Sequence, residues 1–147
     1  MQATDSEDDR IAEILRQTRT VAVVGLSPKP DRDSYRVAAY LQTQGYRIVP
    51  VHPQAQQILG ETVYRRLQDI PCPVDVVDVF RRAEDTPAVA EAAISIGART
   101  LWLQLGISNV TAAALAEAAG LAVVMNRCMK QEHERWQRQK EMEQPHG

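Results

Sequence analysis

The sequence predicts an α/β fold built on a parallel sheet, and three observations lead to it. Short apolar runs rich in β-branched residues alternate with stretches of helical periodicity. The first run, TVAVVG, is apolar nearly throughout, as a strand buried on both faces is, and ends at Gly25. The helical stretches, of roughly 10 to 15 residues, suit right-handed crossovers between parallel strands. We therefore expect a Rossmann-like three-layer domain with a five-stranded parallel sheet.

The individual elements follow in chain order. The helical spacing of Ile11, Ile14 and Leu15 behind an acidic turn predicts an N-terminal helix within residues 1–19. A charged stretch over residues 128–143 predicts a C-terminal helix. Between them, the predicted strands are TVAVVG, YRIVPV, PVDVVDVF, RTLWLQLG and LAVVMN, and the predicted helices are YRVAAYLQTQ, DTPAVAEAAISIG and SNVTAAALAEAAG.

Three local features complete this prediction. Ser34 is expected to cap the helix that follows the first strand. The segment 52–71 is rich in turn residues and is expected to form a loop with one short helical stretch around VYRRL. Asp75 and Asp78 are expected near the ends of the third strand.

Composition argues against several classes of function. The length suffices for a single domain, residues 1–147, with one core. No apolar run approaches the roughly 20 residues of a membrane-spanning helix, which argues against a membrane role. A net charge of −2 would repel phosphates at long range and disfavours nonspecific nucleic-acid binding. The acidic N-terminus is unlike an export signal, so the cytoplasm is the expected compartment.

Cysteines and histidines provide neither a metal site nor a catalytic pair. Cys72 and Cys128 lie far apart without C-x-x-C spacing, so reduced thiols are expected. The histidines lack the spacing of zinc ligands, so no metal is assigned. Cys128 and His133, five residues apart on one helix, point to different faces, so we assign no catalytic residue.

The loop after the first strand, GLSPKPDRDSYR, carries the features of an anion site. Gly25 would let a ligand approach the backbone, and Ser27 offers a hydroxyl group. Lys29, Arg32 and Arg36 supply positive charge, and the helix that begins at Ser34 has unpaired N–H groups. A solvated, charged connecting turn is the alternative. The position of this loop at the end of a parallel strand favours phosphate binding.

The loops after the second and third strands bear on the kind of nucleotide. An NAD site needs further glycines in the first loop and an acidic residue after the second strand, where this chain has His52 and Pro53. NAD is therefore disfavoured. Phe80 and Arg81 follow the third strand, where a purine ring and phosphates could lie. Alternatively, Phe80 belongs to the core and the arginine is a surface charge.

The loop after the fourth strand, LQLGISN, opens another helix. It places Gln104, Gly106, Ser108 and Asn109 at the helix start, and either Ser108 or Asn109 is expected to cap that helix. The loop is then a simple cap, or its amides also contact the far end of a ligand.

These motifs together carry a resemblance. The landmarks are VVGLSPKPDRDSYRVA, VHP, VDVVDVFRRAE, LWLQLGISN and NRCMKQEHER. From about Val21 to Arg135, the chain is similar to the small stand-alone CoA-binding proteins, which are like the CoA-binding domain of the succinyl-CoA synthetase α subunit. The resemblance implies coenzyme A or an acyl-CoA as ligand, with no catalytic step assigned.

The resemblance also implies roles for single residues. The loop after the first strand would line the phosphates. The adenosine part would be flanked by His52, Pro53, Phe80 and Arg81, and the LQLGISN loop would lie toward the pantetheine arm. Gln54 and Asn126 depart from the family pattern and are left out. With the loop analysis, the candidate ligand-binding residues are Gly25, Leu26, Ser27, Pro28, Lys29, Arg32, Ser34, Tyr35, His52, Pro53, Phe80, Arg81, Gly106 and Asn109.

Two other functions stay open from the sequence. The chain could be a subunit of a CoA-thioester enzyme similar to acyl-CoA synthetases or ligases, although such enzymes need further domains. An NAD-responsive Rossmann regulator is disfavoured by the missing glycines and acidic residue. The sequence also leaves open two protein partners, a second copy of the chain in a homodimer and a separately encoded ligase-like subunit.

Overall fold

The computed structural model describes residues 6–143. The helices are α1 (Glu7–Gln17), α2 (Asp33–Thr43), α3 (Thr86–Ser95), α4 (Val110–Ala118) and α5 (Met129–Glu143). The strands are β1 (Thr20–Val24), β2 (Arg47–Val51), β3 (Gln57–Ile58), β4 (Glu61–Thr62), β5 (Val76–Val79), β6 (Thr100–Leu103) and β7 (Ala122–Val124). The predicted terminal helices correspond to α1 and α5. Residues 1–5 and 144–147 of the predicted single domain lie outside the described residues.

The five longer strands form the parallel sheet that the sequence predicts. Their order is β2-β1-β5-β6-β7, and every neighbouring pair is parallel. The chain adds β2 on one side of β1, and it then crosses over to add β5 on the other side of β1. The strand order therefore reverses between β1 and β5, and in such sheets ligands bind beyond the carboxyl ends of the strands at this point.

Helices cover both faces of the sheet, which gives the predicted three layers. On one face, α1, α2 and α5 bury Leu15, Leu41 and Met129 against Trp102, which is completely buried. On the other face, α3 and α4 contribute small side chains such as Ala90 and Ala113. Alanines let these two helices lie close to the sheet and to each other, so the two faces are packed by different means.

The segment 52–71 differs from its prediction. It forms a hairpin of β3 and β4, followed by a short 3-10 helix at Leu67–Asp69. Leu59 and Gly60 join the two strands with φ values of 55° and 76°, the positive values that a two-residue type I′ turn needs. Beyond the hairpin, Tyr64 bonds along the outer edge of β2 through its backbone. The edge strand of the sheet is thereby partly covered.

Asp78 lies near the end of its strand, as expected, but its burial was not predicted. It is the third of four residues in β5, and it lies between Val23 and Trp102 on the neighbouring strands with no exposed surface. Neither carboxyl oxygen has a hydrogen-bond partner among residues 6–143. The N–H of Val79 lies near but lacks hydrogen-bond geometry, so its opposing effect is small. Burial therefore raises the pKa of Asp78 well above its usual value.

Candidate functional site

The candidate site lies at the carboxyl edge of the sheet, where β1 and β5 end. Gly25 has φ 86°, and a Cβ atom on it would lie 2.4 Å from the carbonyl oxygen of Phe80 and 3.1 Å from Cδ of Arg81. Its N–H donates to the carbonyl of Val51 at 3.2 Å. The space that we expected a ligand to use is therefore taken by the Phe80 carbonyl. Glycine at this position draws the ends of β1, β2 and β5 together.

The loop after β1 is held by two serines. The Ser27 N–H donates to Ser34 Oγ at 3.0 Å, and Ser27 Oγ accepts from the Lys29 N–H at 3.1 Å. Helix α2 starts one residue before Ser34, and its N-cap, Arg32, forms no side-chain cap bond. The prediction that Ser34 caps α2 was therefore wrong. Its buried hydroxyl instead fixes the loop, and Leu26 anchors the same loop in the core.

Unpaired hydrogen-bond donors collect at the start of α2. The first bond of the helix runs from the Arg36 N–H to the Arg32 carbonyl at 3.1 Å. The N–H groups of Asp33, Ser34 and Tyr35 precede it and have no helical acceptor. These amides and the positive end of the helix dipole favour an anion.

Positive side chains stand beside these amides. Lys29 and Arg32 are exposed, as is Pro28 between the loop serine and the lysine. Within residues 6–143, neither cation forms an ion pair. Arg36, one turn into α2, pairs with Asp33 at 3.0 Å. Two uncompensated charges therefore lie next to the unpaired amides, on a chain whose net charge is −2.

His52 organises the turn after β2. Its Nδ1 accepts hydrogen bonds from the N–H groups of Gln54 at 3.0 Å and Ala55 at 2.9 Å, so Nε2 carries the proton of the neutral ring. The Arg65 guanidinium donates to the His52 carbonyl at 3.0 Å and binds two more carbonyls of the turn. The turn is thereby rigid, and Pro53 at its tip is exposed. Arg65 was not predicted, because it contacts the turn only through the unforeseen hairpin.

Two clefts open at this edge, on opposite faces of the sheet. Phe80 lines one of them and Arg81 lines the other. Cleft A, of about 370 Å³, lies between the starts of α2 and α5 and is lined by Asp33, Arg36, Val37, Phe80, Gln104, Leu105, Ile107, Cys128, Lys130 and Gln131. Cleft B, of about 200 Å³, is lined by Val24, Val51, Arg65, Arg66, Leu67, Gln68, Arg81, Ala88, Val89 and Ala92.

The loop after β6 borders cleft A. Gly106 has φ 86°, and its N–H donates to Asn126 Oδ1 at 2.7 Å. Asn109 is the cap of α4: its Oδ1 accepts from the Ala112 N–H at 2.8 Å, and its Nδ2 donates to the Ala83 carbonyl at 2.9 Å. Of the two expected caps, Asn109 is therefore the one used. Both ends of its side chain are engaged within the protein, which leaves little for a ligand.

Of the residues that line cleft A, the sequence placed Arg36, Phe80 and Gln104 in the candidate loops but did not predict the others. Gln104 is only 4% exposed, and its Oε1 accepts from the Met129 N–H at 3.1 Å. Its Nε2 donates to no atom of the described residues. The start of α5, at Lys130 and Gln131, could not be located at this edge from sequence, because its place depends on how the last helix packs on the sheet.

Two structural searches concern other classes of site. No helix within residues 6–143 has both the length and the apolar character needed to cross a membrane. In the same residues, no three His, Cys, Asp or Glu side chains group closely enough to hold a metal ion.

The chain is similar to several known proteins. Residues 19–134 match the family described as CoA binding domain. The Bacillus subtilis (strain 168) protein YneT, described as uncharacterized, is 41% identical over 123 residues, which make up 84% of this chain and 91% of YneT. A hypothetical protein from Pyrococcus horikoshii OT3 superposes with a TM-score of 0.87 at 40% identity, over 93% of this chain and 99% of that one.

A more distant likeness extends to a larger protein. The apo form of a dinucleotide forming acetyl-coenzyme A synthetase 1 from Ca. Korarchaeum cryptofilum has a TM-score of 0.68 at 21% identity. The match covers 78% of this chain and 27% of the synthetase, and it shows a shared fold. From the match over residues 19–134 and the likeness to YneT, the chain belongs to the CoA binding domain family.

Proposed function

We propose that the protein binds coenzyme A or an acyl-CoA in the cytoplasm, as a small stand-alone module with no catalytic step. The observation that carries the proposal is the group of unpaired donors at the start of α2. There, the cations Lys29 and Arg32 stand beside three free amides, at the point where strand order reverses. A pyrophosphate offers negative charge and several acceptor oxygens, which match these donors.

The other loops then take the rest of the ligand. His52 and Pro53 on the β2 turn, with Phe80 and Arg81 after β5, would flank the adenosine part. Arg81 pairs only loosely with Asp85, at 3.9 Å, so its guanidinium is available for a phosphate. Cleft A begins beside the start of α2 and reaches Leu105 and Ile107 in the loop after β6, so it would receive the pantetheine arm.

A nicotinamide dinucleotide fits these loops less well. Its ribose hydroxyls need an acidic side chain at the end of β2, and the chain places the His52 turn there, held by Arg65. The NAD-responsive regulator is therefore the alternative that the binding experiment must exclude.

A second candidate function is a subunit of a CoA-thioester enzyme. The likeness to about a quarter of an acetyl-coenzyme A synthetase motivates it, since that enzyme contains this fold within a longer chain. Co-purification of a ligase-like protein with the tagged chain would support this candidate. A homodimer without such a partner, detected by light scattering, would favour the stand-alone module.

Calorimetric titration tests the proposal directly. Coenzyme A should bind more tightly than NAD, and Lys29→Ala should weaken coenzyme A binding by about 1 to 3 kcal/mol through loss of a charge-assisted contact. Arg47→Ala is the matched control, because Arg47 is an exposed cation at the amino end of β2. The proposal is wrong if NAD binds more tightly, or if coenzyme A does not bind at millimolar concentration.

A further inference from the structure

Cys128 lies in the wall of cleft A. It precedes Met129, the first residue of α5, and is 8% exposed. Lys130, two residues further along, lines the same cleft, and Arg36 faces it from α2. The thiol is thus held at the start of a 15-residue helix, inside a cleft that also contains two cationic side chains.

Gln104 independently indicates that cleft A receives a ligand. The residue is only 4% exposed, yet it lines the cleft. Its carbonyl oxygen fixes the start of α5 through the Met129 N–H, while its Nε2 has no acceptor within residues 6–143. Within residues 6–143, the side-chain atoms that are both fully buried and unpaired are the carboxylate oxygens of Asp78, so Gln104 Nε2 is reached from the cleft, where a ligand or water can supply its acceptor. The pantetheine arm carries amide carbonyls that can do so.

We propose that Cys128 is a modification site that takes up coenzyme A as a mixed disulfide. This inference rests on the proposed function, since it requires the pantetheine arm to enter cleft A and bring its sulfur to the thiol. A pantetheine sulfur at the end of the arm would meet the one cysteine that lines the cleft. The protein would then hold coenzyme A covalently under oxidising conditions and release it under reducing ones.

The reaction is thiol–disulfide exchange with coenzyme A disulfide, which is the oxidant. The Cys128 thiol loses its proton, and the thiolate attacks one sulfur of the bound disulfide. A new S–S bond forms between Cys128 and that sulfur while the original S–S bond breaks. The second coenzyme A leaves as a thiolate and takes up a proton. A reduced thiol such as glutathione reverses the exchange.

The chain provides its own control thiol. Cys72 is half-buried in the loop before β5 and lines neither cleft A nor cleft B. The sequence contains two cysteines, so Cys128→Ser and Cys72→Ser each leave a single thiol. A comparison of the two variants separates a directed reaction from general thiol reactivity.

The experiment is intact-mass measurement after incubation with coenzyme A disulfide, alongside glutathione disulfide. Wild type and Cys72→Ser should gain the mass of one coenzyme A, and Cys128→Ser should gain none. Because binding places the reacting sulfurs together, modification should be at least about tenfold faster with coenzyme A disulfide than with glutathione disulfide. Dithiothreitol should remove the added mass. Thermal unfolding of each variant confirms that it is folded.

Three outcomes overturn the inference. They are modification of Cys72 alone, equal rates with both disulfides, and no modification of the folded wild type. Titration of the wild type with reduced coenzyme A separates the two proposals. If reduced coenzyme A binds but coenzyme A disulfide leaves no adduct on Cys128, the role of Cys128 is refuted and the proposed function stands, whereas the absence of binding refutes the proposed function itself.

Discussion

The polar groups at the two edges of the parallel sheet differ in whether they have hydrogen-bond partners within the protein. At the amino edge, Asp75 Oδ2 accepts the N–H groups of Arg19 and Thr20 at 2.9 and 3.0 Å, and the Tyr46 hydroxyl donates to the Leu15 carbonyl at 2.9 Å. At the carboxyl edge, the amides at the start of α2 and the neighbouring cations have no protein partner. At the amino edge the protein satisfies these groups itself, whereas the free groups of the carboxyl edge support the proposal that this edge binds a ligand.

His133, near the amino edge, also forms its polar contacts within the protein. The imidazole is 2% exposed, and its Nδ1 lies 2.8 Å from the Tyr40 hydroxyl. The rings of Tyr40, Tyr46 and Trp136 all meet it edge-on, at 5.4 to 5.5 Å between centroids. Burial, with help from the Lys140 ammonium, lowers the pKa of His133. The residue therefore stabilises the packing of α2 and α5 as a neutral ring.

The largest expected effect comes from a glycine pair that compares the edges. Gly25→Ala should lower the free energy of unfolding by about 3 kcal/mol, since the new Cβ would combine left-handed strain with overlap on the Phe80 carbonyl. Gly45→Ala at the amino edge, with φ 96° and open space around its Cβ, should cost about 1 kcal/mol from strain alone. Urea denaturation measures both. Equal losses would show that the close approach at Gly25 is not a constraint.

Asp78 is an exception to the comparison of the two edges. Its carboxyl group has no hydrogen-bond partner among the described residues, yet it lies within the sheet and not at an edge. Its raised pKa means that the folded state holds a proton that the unfolded state releases above pH 4 or so. Stability from this group is therefore full below that pH and is lost as pH rises through the folded pKa. Over that range, wild type should lose up to about 1.4 kcal/mol per pH unit relative to Asp78→Asn, which does not titrate.

The measurement for Asp78 is the free energy of unfolding of both proteins at several pH values. The fixed cost of a buried amide shifts the whole Asp78→Asn curve but leaves its slope unaffected, so only the difference in slope is informative. Parallel curves between pH 4 and 9 would mean that Asp78 has the same pKa in both states.

Tyr40→Phe probes the paired side of the comparison. Loss of the hydroxyl that bonds to His133 should cost about 1 kcal/mol at pH 8. Because the folded pKa of His133 is lowered, its contribution is full above about pH 6.5 and is lost as pH falls through the folded pKa. Thermal unfolding between pH 5 and 8 measures both effects. Tyr64→Phe, whose hydroxyl has no partner among residues 6–143, is the control and should change stability less.

The smallest expected effect concerns the loop after β1. Ser34→Ala removes the acceptor of the Ser27 N–H and should cost about 0.5 to 1 kcal/mol, since water can reach this half-buried amide. Coenzyme A binding should also weaken, because the loop is less well ordered. Ser95→Ala, on the exposed surface of α3, is the control for both measurements. Unchanged affinity for coenzyme A would show that loop order does not contribute to binding.

Most of the fold could be predicted from sequence because its signals are local. The β-branched runs and the glycines between helices and strands gave the five parallel strands and their helices. The hairpin of β3 and β4 escaped notice because Leu59 occupies a turn position that asparagine or aspartate usually marks. The burial of Asp78 was not predicted because an acidic residue rarely lies within a fully buried strand.

The candidate site was predicted less completely. The loops at strand ends were located correctly at one edge, since parallel strands end together. Which side chains remain free for a ligand depends on tertiary contacts. The Ser34 hydroxyl accepts a hydrogen bond from the Ser27 N–H, and both ends of the Asn109 side-chain amide form hydrogen bonds within the protein. Gln104 and Cys128 face a common cleft only because α5 packs beside β6.

The placement of α5 has a consequence for synthesis of the protein. This helix supplies Met129 and His133 to the face of the sheet that holds Trp102, and it follows every strand in the chain. While α5 is still inside the ribosome, a nascent chain with its sheet assembled would present that apolar face to solvent. Docking of α5 therefore closes this part of the core during co-translational folding, and a chaperone would find its target in the interval before it.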